Sequence, residues 1–115
     1  MKVGEVCLLT GDVVRLANFY KALLDIENGC QSSMYQTLIA EETMLTVLHE
    51  DVPVGSGRQT LCLAFTVEDI QAEYQRLLGL GARVIEQPTR RPWGATNLCF
   101  LDPDGNRVYL RSFQP

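Results

Sequence analysis

Residues 8–24 read Leu8-Leu-Thr-Gly-Asp-Val-Val-Arg-Leu-Ala-Asn-Phe-Tyr-Lys-Ala-Leu-Leu24, and the two ends of this stretch call for different backbones. Alternation over Lys2–Thr10 predicts a strand, which Gly11-Asp12 breaks. Asp12 suits an N-cap, because its carboxylate can accept the orphan N–H groups of a first helical turn. Beyond it, Val13, Leu16, Ala17, Tyr20, Leu23 and Leu24 recur at helical spacing and predict a helix that ends near Asp25–Gly29.

Outward from that helix, strands are expected at Gln31–Ser33, Tyr35–Ala40 and Met44–His49, with Glu41-Glu42-Thr43 as the turn of a hairpin. Asp51–Arg58 holds Pro53, Gly55, Ser56 and Gly57 and reads as a linker. The pattern then restarts. Thr60–Thr66 is a strand, and Asp69 caps a helix carrying Ile70, Ala72, Tyr74, Leu77 and Leu78, which Gly79 and Gly81 terminate. Strands follow at Arg83–Glu86, Asn97–Leu101 and Arg107–Ser112, the last two joined by the turn Asp102-Pro-Asp-Gly105.

The chain thus reads as two copies of one strand–helix–hairpin unit. Asp12 matches Asp69 at a spacing of 57 residues and Thr46 matches Tyr109 at 63, so the second copy is six residues longer. The extra length is expected in a loop over Pro88–Ala95. The fold class is α+β, with module 1 at about 1–50, a linker at 51–58 and module 2 at about 59–115.

Composition narrows the function. The 115 residues are 46% hydrophobic and 21% charged, which fits one globular domain. A net charge of −4, with no basic run longer than Arg90-Arg91, argues against nucleic acid and against anionic membranes. The apolar run Val6–Leu9 is too short for a signal peptide or a membrane span. Cys7, Cys30, Cys62 and Cys99 are scattered without CxxC spacing and read as reduced thiols, so the expected location is the cytoplasm.

Strand parity sorts the side chains. Val6, Leu8, Leu45, Val47, Leu61, Leu63, Phe65, Val108 and Leu110 should lie under the helices. Glu5, Cys7, Leu9, Met44, Thr46, Leu48, Cys62, Ala64, Thr66, Arg107, Tyr109 and Arg111 should point away from them. A curved sheet whose open face is part apolar and part polar suits an organic ligand.

Several runs resemble the glyoxalase/bleomycin resistance/extradiol dioxygenase (vicinal oxygen chelate) superfamily. Leu8–Leu24 is similar to its opening, and Leu63–Thr66, Val67-Glu-Asp-Ile70 and Leu77-Leu-Gly-Leu-Gly-Ala82 to the start of its second module. Pro92-Trp-Gly94, Phe100-Leu-Asp-Pro-Asp-Gly-Asn106 and Val108-Tyr-Leu110 complete the ordered set. The resemblance implies paired βαβββ modules whose sheets form a half-open curved surface, usually completed in a homodimer. In the metal-dependent members four side chains, mostly His and Glu, hold a divalent ion. Those positions fall here on Glu5, Thr46, Cys62 and Tyr109, a poor set: threonine is a weak ligand and Tyr109 has the wrong length. His49, the only histidine, lies three residues past Thr46 on the opposite parity. No metal or other cofactor is therefore expected.

The candidate ligand-binding residues are Glu5, Thr46, Cys62, Trp93, Tyr109 and Arg111. Trp93 either stacks on a planar or cationic ligand or anchors the rim structurally. Tyr109 offers a hydroxyl for a ligand or for a structural hydrogen bond. Arg111 and Arg107 can grip a carboxylate or phosphate, or stand in solvent. Glu5 is the one catalytic candidate, as a general base if it is buried beside Cys7 and Cys62. Two readings follow. One is a metal-free protein that sequesters a small organic molecule at a homodimer, as the resemblance to bleomycin-resistance proteins implies. The other is a lyase or isomerase of the glyoxalase type with an altered ligand set.

Overall fold

The computed structural model describes residues 3–27, 31–51 and 62–113. They form nine elements: β1 (Val6–Thr10), α1 (Val13–Leu24), β2 (Tyr35–Ala40), β3 (Thr43–His49), β4 (Leu63–Thr66), α2 (Ile70–Gly79), β5 (Arg83–Arg90), β6 (Thr96–Leu101) and β7 (Arg107–Ser112). The chain falls into two compact units, Met1–Ser56 and Gly57–Pro115.

In the first unit β1 pairs parallel with β3 and β2 antiparallel with β3, giving the order β1-β3-β2. α1 spans the predicted residues. Asp12 caps it by accepting from the Arg15 amide at 3.2 Å, and Asp25 closes it in the left-handed region at φ 53°. The helix packs on β2 and β3. Its residues Val13, Leu16, Ala17, Tyr20 and Leu23 are buried, as are Leu38, Leu45 and Val47 of the sheet. Val6 and Leu8 are half-buried on the same parity.

The second unit has the order β4-β7-β6-β5, with β4 parallel to β7 and the other pairs antiparallel. Asp69 caps α2 by accepting from the Ala72 amide at 3.0 Å. Gly81 follows the helix at φ 76°, a conformation that glycine adopts without a Cβ penalty. Ile70, Leu77, Leu98, Phe100, Val108 and Leu110 form the core. The architecture is mixed α+β, with two open sheets and one helix to each. Among the described residues no helix is long and apolar enough to cross a membrane.

Three local expectations change. Gln31–Ser33 is not a strand, so the first unit shows βαββ where the second shows βαβββ. The Ser32 hydroxyl accepts from the amides of Met34 and Tyr35, and its carbonyl takes the amide of the buried Gln36 side chain at 3.0 Å. Those bonds turn the chain instead of extending it. Strand β5 runs on to Arg90, through the segment expected as a loop, leaving only 91–95 as the connection. β5 is an edge strand, a place that tolerates proline, and register shifts lie between Val84 and Glu86 and, around Pro88, between Glu86 and Thr89. The first strand begins at Val6, with residues 3–5 outside it. The linker beyond Asp51, Cys30, and the start of the Thr60–Thr66 strand (including Leu61) lie outside the described residues.

Two turns give tests of stability. Asp102, buried before β7, accepts from the amides of Asp104 and Asn106 and from the Asn106 side chain at 2.8–2.9 Å. Asp102→Ala strands those donors and should lower the unfolding free energy by about 2–3 kcal/mol in urea titrations. Glu41 starts the two-residue loop between Ala40 and Thr43 at φ 52°. Glu41→Gly relieves the left-handed penalty and should raise stability by about 1 kcal/mol in the same assay.

Candidate functional site

With one sheet face closed by a helix, each unit offers the other face. In the first unit that face carries Glu5, Cys7 and Leu9, then Met44, Thr46 and Leu48, then Tyr35, Thr37 and Ile39. Cys7 stands opposite Thr46 and Thr46 opposite Thr37 in the register. Leu9, Tyr35, Ile39 and Met44 are large exposed apolar groups. At the centre runs a short polar chain. The Thr46 hydroxyl donates to the Glu5 carboxylate at 2.8 Å and lies 3.1 Å from the Thr37 hydroxyl. Thr46 has one proton to give; donating it to Glu5 leaves Thr37 as the donor between the two threonines. Thr46 is buried and Glu5 exposed, so the burial on which the general-base role depended is not present.

The second unit has a more polar open face. Its register places Ala64, Tyr109, Cys99 and Glu86 in one row across β4, β7, β6 and β5, and Thr66, Arg111 and Asn97 in the next. Cys62, just before β4, is exposed and Tyr109 is half-buried. Cys99 is buried, and its thiol reaches the Phe100 carbonyl at 3.9 Å. Burial pushes the Cys99 thiol up, while a hydrogen bond with the Tyr109 side chain and the charge of Arg107 act against that rise. Tyr109 stands opposite Cys99 in the register. Trp93, in the 91–95 connection, is 69% exposed. His49 lies at the end of β3, where its amide donates to the Met34 carbonyl.

Thr46 is therefore committed within its own unit, and among the described residues no three His, Cys, Asp or Glu side chains gather where a metal ion could be held. The partners that sequence reading missed are Thr37, Thr66, Asn97 and Cys99.

The matching family model is the Glyoxalase/Bleomycin resistance protein/Dioxygenase superfamily, over residues 2–110. The chain belongs to this superfamily. Its likeness to solved structures extends over almost the full length at low identity, which speaks for the fold alone. A glyoxalase/bleomycin resistance protein/dioxygenase family enzyme from Burkholderia phytofirmans PsJN matches at a TM-score of 0.78 and 16% identity, covering 96% of this chain and 98% of the other. The fosfomycin resistance protein FosX from Mesorhizobium loti gives 0.76 at 15% identity, with coverage of 96% and 91%. TioX from Micromonospora sp. ML1 gives 0.77 at 15% identity, with coverage of 98% and 100%.

The thiols supply a direct check on this arrangement. With iodoacetamide at pH 8, followed by peptide mass spectrometry, Cys99 should react at least about tenfold more slowly than Cys7 and Cys62, because it is buried and stays protonated. The raised thiol also sets a pH dependence. The unfolded chain ionises this group first, so its contribution to stability is present below the thiol's ordinary value of 9.0 and is lost as pH rises through the higher folded value.

Proposed function

We propose that this protein is a metal-free small-molecule-binding member of the superfamily, which holds an organic ligand on an open sheet face and works as a homodimer. The observation that carries this reading is the open face of the first unit. Leu9, Tyr35, Ile39 and Met44 form an apolar surround, and the Glu5–Thr46–Thr37 chain is its polar centre. Few polar groups on a largely apolar surface is how proteins combine affinity with orientation for organic molecules. Exposed apolar side chains in one cluster also call for a covering group, and a ligand or a second subunit supplies it. The metal-dependent chemistries of the superfamily need three or more strong donors together, and the residues at the corresponding positions do not fit.

The neighbours named above include a fosfomycin resistance protein, consistent with a fold used to handle small antibiotic molecules. A drug-like or metabolite ligand is the class this surface suits.

The test is a fluorescence titration with N-phenyl-1-naphthylamine, a neutral aromatic probe, alongside metal analysis of the purified protein and its mass by light scattering. Expected results are saturable binding that Ile39→Glu weakens about tenfold or more, no stoichiometric divalent ion, and a mass of two chains. A tightly held divalent ion that is lost on Glu5→Ala would overturn the metal-free reading, and absence of saturable binding would overturn the ligand-binding one.

A further inference from the structure

The row Thr66–Arg111–Asn97 on the second sheet has a consistent hydrogen-bond polarity. Thr66 stands opposite Arg111 on one side and Asn97 opposite Arg111 on the other, so the three occupy adjacent places across β4, β7 and β6. The Arg111 Nε donates to the Thr66 hydroxyl oxygen at 3.0 Å. The Arg91 Nε donates to Asn97 at 2.8 Å, and since a guanidinium can only donate, the asparagine atom it meets is the carbonyl oxygen Oδ1. Thr66 and Asn97 each have an acceptor already engaged. What the row still has to offer is the Thr66 O–H, the Asn97 amide N–H groups and the terminal N–H groups of Arg111.

Charge follows the same direction. The Arg91 guanidinium is paired with the Glu86 carboxylate, so those two charges offset each other locally. Arg111 has no carboxylate partner among the described residues. Its guanidinium is held from two sides, by Thr66 through Nε and by the Phe113 ring, whose centroid is 5.3 Å from Cζ. Both contacts leave the terminal nitrogens available, and the planar fork is then preset for two parallel bonds to one oxyanion. The wider composition agrees: residues 57–115 hold seven arginines and six carboxylates, whereas residues 1–56 hold three Lys/Arg and eight carboxylates.

We propose that Thr66, Arg111 and Asn97 form a subsite for a singly charged oxyanion group, a carboxylate, sulfonate or phosphonate monoester, of a small organic ligand bound on the open face of the second sheet. The inference deepens the ligand-binding reading and rests on it. It also gives the ligand's charge a sign that the net charge of the chain does not: the chain is acidic overall, and this row is cationic.

The test compares two probes with the same aromatic body. N-phenyl-1-naphthylamine is neutral, and 8-anilinonaphthalene-1-sulfonate adds one sulfonate. The unmodified protein should bind the sulfonate more tightly. Arg111→Gln should weaken the sulfonate roughly tenfold and leave the neutral probe within about twofold. Thr66→Val, which keeps the charge but removes the group that orients it, should give a smaller loss of the sulfonate alone. Arg76→Gln, on α2 and paired with Glu73, should change neither. Equal losses of both probes in Arg111→Gln, or no loss of the sulfonate, would overturn the subsite. Sulfonate binding that needs Arg111 without any binding of the neutral probe would keep the subsite and overturn the apolar face. Failure of both probes on the unmodified protein would overturn both.

Discussion

Each unit depends on one amphipathic helix closing one face of its sheet. In the first, α1 lies on β2 and β3, with Leu16, Ala17 and Tyr20 buried alongside Leu38, Leu45 and Val47. Strand side chains alternate, so burying one parity exposes the other. A one-residue slip of β3 would bring Thr46 under the helix and push Leu45 and Val47 into the open, which the apolar core resists. The helix thus fixes which residues are available to a ligand without touching any of them.

The two open faces differ in chemistry although the units share a plan. The first is apolar with a hydroxyl–carboxylate chain at its centre, so its polar groups satisfy one another. The second spends its acceptors internally and keeps its donors. At the positions where metal-dependent relatives place their ligands, this chain has Glu5, Thr46, Cys62 and Tyr109. Thr46 is tied to Glu5, and Tyr109 stands opposite the buried Cys99. The two units share a strand–helix–hairpin plan, yet the side chains at the matching positions differ in chemistry.

Local signals were the legible ones. Asp12 and Asp69 marked both helix starts, and the periodicity of Val13–Leu24 gave α1 its full length. The Asp102–Gly105 turn was readable because its residues suit the bends they make. Asn97 was within reach as well, since the turn at Asp102 sets it against Arg111. Thr37 was not: a turn of Glu41-Glu42-Thr43 sets it against Val47, and the shorter loop Glu41-Glu42 is what sets it against Thr46. Thr66 was not, as a partner for Arg111, because the parallel pairing of β4 with β7 joins residues 45 apart and no turn fixes its register. The course of β5 was hidden for another reason: proline is read as a strand breaker, and only the strand's place at the sheet edge lets it be tolerated.

That same edge has a bearing on how the protein keeps from aggregating. An open sheet exposes a ladder of unpaired amides and carbonyls along its outermost strand, a template onto which another chain can add. β5 is the longest strand here and would be the strongest such template. Pro88 removes one of its donors, and the two register shifts break the straight spacing that an incoming strand would need. The irregularity that obscured β5 in the sequence thus protects the molecule from strand addition along its longest edge.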